Sequence, residues 1–141
     1  MKIPAKVHYA IIIMTDLAMQ GRKITITCND IALRQNISFA FVAQLLNKLK
    51  HAGLLSSVRG GASGGYRLTD IPSEITVKRI IDAADPTFCV CPSKEIKTEQ
   101  SVDNTIRFFW QQISIGINKM FENTTLEDLV KKEKNFHESC I

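Results

Sequence analysis

Two cysteines separated by one residue, Cys89 and Cys91, are the side chains of this 141-residue chain whose spacing best suits metal binding or redox chemistry. Residues i and i+2 of an extended chain point to the same side, so both sulfur atoms can face one ion. A metal site normally needs four ligands, and the further candidates are Cys140, His137 and His8. The alternatives left open are an iron–sulfur cluster, another metal, a metal-free redox-reactive thiol pair, and loop cysteines without a sensing role.

A second chemical feature is the glycine-rich stretch SVRGGASGGYRL, residues 57–68, in which four glycines lie between Arg59 and Arg67. Glycines let a backbone approach phosphate groups closely, and arginines favour phosphates or a narrow minor groove. A nucleotide-binding loop is a rival interpretation, but this stretch lacks the lysine of such loops and precedes a strand pattern where a helix should begin. An ordinary flexible hairpin is the remaining alternative.

The charge is distributed unevenly along the chain. Residues 1–68 carry nine Lys and Arg against two acidic residues, whereas residues 69–141 carry nine against twelve, and the net charge is +4. A basic half beside a mildly acidic half is typical of a nucleic-acid-binding protein with a separate second region. A chance distribution of surface charge is the alternative.

Other bulk features narrow the class of protein. No run of 18 apolar residues predicts a membrane span, and the N-terminal segment does not resemble a signal peptide, so a cytoplasmic protein is expected. Four cysteines in a chain of this length do not indicate a secreted disulfide framework. Cys28 is predicted to be a partly buried apolar residue, and the alternative is a reactive thiol whose pKa is lowered by its place at a helix N-terminus. No nucleophile has a base at a readable spacing, which argues against an enzyme.

Apolar spacing and capping patterns predict a winged helix-turn-helix in the first half. Two short helices joined by a tight turn form the helix-turn-helix, and a strand pair around the glycine loop adds the wing. The predicted elements are a helix between Pro4 and Gly21, a strand at Ile24–Ile26, a helix from the Thr27–Asp30 capping box to Gln35, a helix between Ser38 and Gly53, and strands at Leu54–Val58 and Tyr66–Thr69.

The second half is predicted to hold a connecting helix from Thr76 to Ala84, an irregular loop, and a long helix at about 102–122. A capping box at Thr125–Asp128 then predicts a short helix before a charged tail. An apolar stripe on the long helix predicts packing against a symmetry mate, and folding back on its own domain is the alternative. Its members are Ile106, Phe109, Ile113, Ile117 and Met120. The expected fold class is therefore mainly α with a small β-wing: a winged helix-turn-helix DNA-binding domain with its connecting helix (1–84), a sensor loop (85–100), and a dimerisation helix with a C-terminal tail (101–141).

Four stretches resemble the Rrf-type family of winged-helix bacterial transcription regulators, which includes IscR, NsrR and CymR. They are HYAIIIMTDLA, AQLLNKLKHAGLLSSVRG…GGYRL, ITVKRIIDAADP and FFWQQI…TTLEDLV, and they span about residues 3–131. The resemblance implies a homodimeric regulator that binds double-stranded DNA at a pseudo-palindromic operator, with recognition helices in successive major grooves. A winged-helix protein-interaction module without DNA binding, and a small enzyme, are the alternatives from other classes.

By the same resemblance, the base-reading positions are Ser38, Phe39, Ala40 and Gln44 at the start of the third helix, and the wing arginine is Arg59. Ser38 and Gln44 can form hydrogen bonds with base edges, and an amide such as that of Gln44 suits adenine. The other wing candidates are Gly60, Gly64, Gly65 and Arg67.

The sequence departs from the family pattern at the expected sensor. Iron–sulfur members carry three cysteines between the connecting helix and the dimer helix, whereas this chain has only Cys89 and Cys91 there. The cofactor therefore stays open, and an iron–sulfur cluster would need ligands from outside the loop. The sensor candidates are Cys89, Cys91 and Cys140, which would respond to redox conditions, iron–sulfur status or nitric oxide. The wing tip is also one residue longer than the family pattern, and Ala43 stands where some members carry an acid.

Overall fold

The computed structural model describes residues 2–58, 65–90 and 101–139, and it confirms the predicted fold class, mainly α-helical with a two-stranded antiparallel sheet. The elements are α1 (Ala5–Gln20), α2 (Cys28–Gln35), α3 (Phe39–His51), β1 (Leu55–Val58), β2 (Gly65–Leu68), a short 3-10 helix (Pro72–Glu74), α4 (Val77–Ala84), α5 (Ser101–Asn123) and α6 (Leu126–Ser139).

Side-chain caps begin four helices, α2, α3, α4 and α6, at the residues that the sequence predicts, and Thr125 caps α6. The Thr27 hydroxyl accepts a hydrogen bond from the backbone N–H of Asp30 (3.1 Å), and the Asp30 carboxylate accepts one from the N–H of Thr27 (3.2 Å). Ser38 caps α3 and Thr76 caps α4 through their hydroxyl groups. These caps satisfy backbone donors that have no partner within the helix, so they set where each helix starts.

One continuous core joins α1, α2, α3, the sheet and α4. The amphipathic spacing of each helix places its apolar side on this core, and the sheet adds Leu55 and Leu68, which face each other across the strands. The fully buried side chains of the helices include Ile13, Met14, Ile31, Leu45, Leu46, Leu49 and Ile80.

The chain after α5 returns to this core. The N–H of Val77 donates to the carbonyl of Thr124, and the N–H of Leu126 donates to the carbonyl of Ile75, both at 2.8 Å. Leu126 is completely buried in the main core, and α6 then packs against α1. We call α1–α4, both strands and α6 together the head.

Two elements differ from their predictions. The strand expected at Ile24–Ile26 is a single bridge between Ile26 and Tyr66, and Ile24 is exposed. The short helix expected after the Thr125–Asp128 capping box continues to Ser139. Ion pairs one turn apart on this helix, such as Lys131–Glu127, supply local stabilisation that offsets its low apolar content.

The first half of α5 extends beyond the head. At its C-terminal end Phe121 packs against the small cluster formed by Val7, Val77 and Ile81. We call residues 102–112 the arm. The large apolar side chains exposed on the arm are Val102, Ile106, Phe108, Phe109 and Trp110. The division of the chain into segments 1–84, 85–100 and 101–141 stays a prediction.

Candidate DNA-binding interface

The N-terminal turn of α3 presents the predicted base-reading residues to solvent. Phe39, Ala40 and Gln44 are exposed, and Ala40 and Gln44 are four residues apart, so they lie on one helix face. Phe39 is 56% exposed although its side chain is apolar. The side chains of Phe39 and Gln44 both suit the edges of base pairs, since an apolar ring can contact a thymine methyl and an amide can form two hydrogen bonds with adenine.

Ser38 performs a structural task at the same place. Its hydroxyl oxygen accepts a hydrogen bond from the backbone N–H of Phe41 at 3.3 Å and so caps α3. A hydroxyl group has one donor and two acceptor positions, so the O–H of Ser38 remains available to a base or phosphate. The capping role accounts for a serine here even without DNA.

The orientation of α3 is fixed by the turn that precedes it and by the opposite side of the helix. Asn36 adopts a left-handed conformation (φ 54°), which an asparagine tolerates better than most residues. The apolar side of α3 is buried in the core through Val42, Leu45, Leu46 and Leu49. The exposed face of α3 is therefore held on a rigid support.

An ion pair that sequence reasoning missed ties α1 to the helix-turn-helix. Arg34 donates to the carboxylate of Asp16 at 2.8 Å, and the Asp16 side chain is buried. Asp16 lies three residues after Ile13, on the buried side of α1. A carboxylate on that side requires a cationic partner, and this was the signal available in the sequence.

Cys28 is partly buried, as predicted, but its reactivity differs from the alternative considered for it. Its thiol donates a weak hydrogen bond to the carbonyl of Phe39 at 3.6 Å, across the joint between α2 and α3. Burial raises the pKa of the Cys28 thiol, which favours the apolar interpretation over the reactive alternative.

The wing is described at its base. Arg59, Gly60 and Gly64 lie outside the described residues, whereas Gly65 and Arg67 lie on β2. Arg67 is exposed and pairs with Ser56 across the two strands.

Gly65 has a structural reason to be glycine. Its φ is +150°, and a Cβ atom there would lie 2.6 Å from the carbonyl oxygen of Ile26. Ile26 and Tyr66 exchange two backbone hydrogen bonds beside it, at 2.8 and 2.9 Å. The close approach of these backbones requires a residue without a side chain.

The start of the predicted sensor loop is anchored to the head. Asp85 is buried and accepts hydrogen bonds from the N–H and hydroxyl of Thr87, and Lys6 lies 3.5 Å from its other oxygen. These contacts, chiefly the Thr87 hydroxyl, lower the pKa of Asp85. Cys89 follows shortly afterwards and is exposed, whereas Cys91 lies outside the described residues.

The candidate metal ligands do not come together in the part of the chain that the structure describes. Residues 2–58, 65–90 and 101–139 contain no group of three or more His, Cys, Asp or Glu side chains placed to hold a metal ion. His8 is exposed and stacks edge-on against Tyr9, and His137 pairs with Glu133 on α6. Cys140 lies outside the described residues.

The described residues also include no helix that is long and apolar enough to span a membrane. This agrees with the absence of an 18-residue apolar run in the sequence.

Comparison of the sequence with protein families gives one clear match. The Rrf2 family model, described as an iron-dependent transcriptional regulator, matches residues 3–132. The transcriptional regulator IscR of Vibrio atlanticus is 34% identical over 135 residues, which cover 93% of this chain and 76% of that protein.

Solved structures show the same relationship. CymR, the global cysteine regulator of B. subtilis, superposes with a TM-score of 0.81 and 32% identity, covering 94% of this chain and 98% of CymR. IscR of T. potens superposes with a TM-score of 0.74 and 32% identity, covering 94% and 88%. The matched family and the named relatives are transcription regulators, which agrees with the class of protein that the sequence predicted. The chain belongs to the Rrf2 family of winged-helix transcription regulators.

Proposed function

We propose that the protein acts in the cytoplasm as a homodimer that binds a pseudo-palindromic DNA operator and changes its affinity in response to a signal at Cys89 and Cys91. The observation that carries the DNA-binding part is the exposed N-terminal turn of α3 on a buried, ion-paired support. Phe39, Ala40 and Gln44 are exposed, while the apolar side of the helix is buried in the core.

In this proposal, the first turn of α3 enters the major groove. Gln44 presents an amide that can pair in a bidentate manner with adenine, and Phe39 presents an apolar ring suited to a thymine methyl. Arg59, together with Gly60 and Gly64, contacts the backbone or minor groove from the wing tip, and Arg67 supports it from β2. Phosphate contacts of this kind position the protein, whereas α3 supplies the sequence preference.

In this proposal, the arm packs against the arm of a second copy of the chain. The arm belongs to a 23-residue helix of about 34 Å length, long enough to lie beside a second copy. Its exposed residues include three aromatic side chains within three consecutive positions, Phe108, Phe109 and Trp110. Burying each large apolar side chain contributes about 1.5–3 kcal/mol, so a paired arm is far more stable than a solvated one.

The two-fold symmetry of such a dimer explains the proposed operator. Two α3 helices related by a two-fold axis read two inverted half-sites, separated by about one turn of DNA. The sensor loop joins α4 to α5 and so connects the head to the dimer axis. A chemical change at Cys89 or Cys91 would alter the spacing of the two heads. The protein then acts as a switch if the two chemical states favour the DNA-binding spacing by different free energies.

Two substitutions test the DNA-binding part. Gln44→Ala should change the sequence selected from random DNA while overall affinity falls less, because this side chain is assigned to a base edge. Arg59→Ala should weaken binding by about 1–3 kcal/mol if it reads a base edge or a narrow groove. An unchanged selected motif would remove Gln44 from base recognition, and unchanged affinity at moderate salt would remove Arg59 from the interface.

The sensor part is tested by the double variant Cys89→Ser/Cys91→Ser. It should bind DNA as the parent does but lose the response to oxidants, iron chelation or nitric oxide. The visible absorption spectrum and metal content of protein purified without oxygen identify the chemistry. A parent protein that responds to none of these treatments would contradict the sensor role and leave the DNA-binding role standing.

A further inference from the structure

An open groove lies at the base of the wing, on the side of the sheet turned away from the core. Its volume is about 990 Å³. The turn between α1 and α2 forms one wall, and the strand pair forms the other. The lining residues are Gln20, Gly21, Arg22, Lys23, Ile24, Ser56, Arg67, Leu68 and Thr69.

The groove is cationic. Arg22, Lys23 and Arg67 line it and are all exposed, and no acidic side chain is among the described lining residues. Elsewhere on the head, cations such as Arg34 and Arg79 have carboxylate partners. Within the described residues, none of the three groove cations lies within 4 Å of a carboxylate.

Arg22 is held across the groove. One of its terminal nitrogens donates to the carbonyl oxygen of Thr69 at 2.7 Å. A guanidinium group has five N–H donors, so this contact fixes its direction and leaves donors for an anion. A positioned arginine loses less side-chain entropy when it binds a phosphate than one that is free in solvent.

The groove continues from the wing towards α1. Arg67 is two residues from Gly65, the first residue of β2, which corresponds to about 7 Å along the strand. Arg22 is bonded to Thr69, two residues further along the chain. Arg67 and Thr69, the partner of Arg22, are therefore about 7 Å apart along the chain, a length comparable with the spacing of neighbouring phosphates in one DNA strand.

We propose that this groove binds backbone phosphates of the DNA that flanks each half-site, with Arg22 and Lys23 as contacts additional to the wing. The proposal rests on the proposed DNA-binding function. Such contacts carry no sequence information, but they release counterions and so strengthen binding in a salt-dependent manner. Free phosphates, such as a nucleotide, share the same chemistry and form the second arm of the test.

The test uses the full chain and a duplex selected from random-sequence DNA. The duplex is prepared with flanks of about ten base pairs, one helical turn, and without flanks. On the flanked duplex, Arg22→Ala/Lys23→Ala should reduce the slope of log affinity against log salt concentration by about 2 per protomer. On the trimmed duplex, parent and variant should have the same slope, and the selected sequence should not change.

Two further variants keep the test specific. Lys23→Ala alone preserves the bond between Arg22 and Thr69 and should produce about half of the slope change. Lys132→Ala/Lys134→Ala removes the same charge from exposed positions of α6 and should leave the slope unchanged.

Equal slopes for the parent and the Arg22/Lys23 variant on the flanked duplex would overturn the proposal. The same holds if ATP titrated into the DNA-free protein binds through Arg22 and Lys23 while those slopes stay equal, since the groove would then serve a free phosphate. A parent that binds no duplex contradicts the proposed function itself, so the two failures are distinguishable.

Discussion

The head and the arm use the same types of apolar residue in opposite ways. In the head, Leu46 of α3 is 0% exposed and is enclosed by neighbours from several elements, whereas Phe109 of the arm is 54% exposed. The head also satisfies its buried charge, since Asp16 is paired with Arg34. The head buries its apolar side chains among its own elements, whereas the arm has apolar surface that none of residues 2–58, 65–90 and 101–139 covers.

This difference in exposure indicates that the head carries the stability of the fold and that the arm carries assembly. A head that folds on its own contacts can present a fixed α3 to DNA, because the exposed turn of α3 contributes little to the core. An arm with large exposed apolar side chains gains free energy only by meeting another surface. Changes in the head should therefore act on stability, and changes in the arm should act on assembly.

The largest effect is expected from a charge placed on the arm. Phe109→Asp should leave the head folded but dissociate the dimer, because a carboxylate cannot be buried without a partner. Loss of the linked half-site contacts should lower operator affinity by about 10²–10⁴-fold. Sedimentation and DNA titration measure both. Ile71→Asp, which alters an exposed apolar residue outside the arm, serves as control; a dimeric Phe109→Asp protein would place the interface elsewhere.

A truncated side chain in the head should lower the stability of the fold, whereas a truncated side chain on the arm should not. Leu46→Ala should reduce the free energy of unfolding by about 2–5 kcal/mol, because it leaves a cavity in the core. Phe109→Ala, tested as a monomer, should change it by no more than about 0.5 kcal/mol, as is usual for exposed positions. Urea unfolding at low protein concentration makes the comparison, and equal losses would mean that the arm is covered by its own head.

Replacing one glycine in the head and one on α5 should change the stability in opposite directions, by smaller amounts. Gly65→Ala should destabilise the head by more than about 1 kcal/mol, because φ is positive and the new Cβ meets the Ile26 backbone. Gly116→Ala on α5 meets no atom within 4 Å and should stabilise the monomeric helix by up to about 1 kcal/mol. Thermal unfolding measures both variants, and the midpoint should fall for Gly65→Ala and rise for Gly116→Ala. A neutral Gly65→Ala would show that the wing base can shift to accept a side chain.

The smallest effect is an acid sensitivity of the head. Hydrogen bonds from Thr27, Thr87 and Thr125 lower the pKa values of Asp30, Asp85 and Asp128 below their ordinary value of 3.8. A lowered folded-state pKa stabilises the head above the unfolded-state pKa, and this stabilisation is lost as the pH falls through the folded-state values.

The measurement is the unfolding free energy of the Phe109→Asp monomer between neutral pH and pH values below about 4. Replacing Thr125 by Val removes the smaller, side-chain contribution to the lowered pKa of Asp128 and keeps the larger one from the Thr125 backbone N–H, so the profile should flatten only in part. A parent profile that is already flat in this range would contradict the capping contribution.

Local signals predicted more of this molecule than distant contacts did. The capping boxes at Thr27 and Thr125 and the apolar face of α3 are encoded within a few residues, and the structure has them where they were predicted. The contact of Asp16 with Arg34 and the approach of Gly65 to Ile26 join residues far apart in sequence. The spacing of α1 indicates that Asp16 needs a cation, but no short pattern identifies Arg34 or Ile26 as the partner. The packing of α6 on α1 depends on the backbone hydrogen bond between Leu126 and Ile75, which the spacing of apolar residues does not predict either. The roles of Ser38, Phe39, Ala40, Gln44 and the wing residues, and those of the cysteines, stay predictions.

The central claim, a dimer whose arms join two DNA-reading heads, is tested most directly by the stoichiometry of the complex on a selected duplex. Sedimentation equilibrium of the protein with the intact duplex, and with a duplex in which one half-site is scrambled, gives the number of bound protomers. Two protomers on the intact duplex, with affinity that decreases with salt and is largely lost on the scrambled one, is the predicted result. One protomer at saturation, or equal affinity for both duplexes, would contradict it.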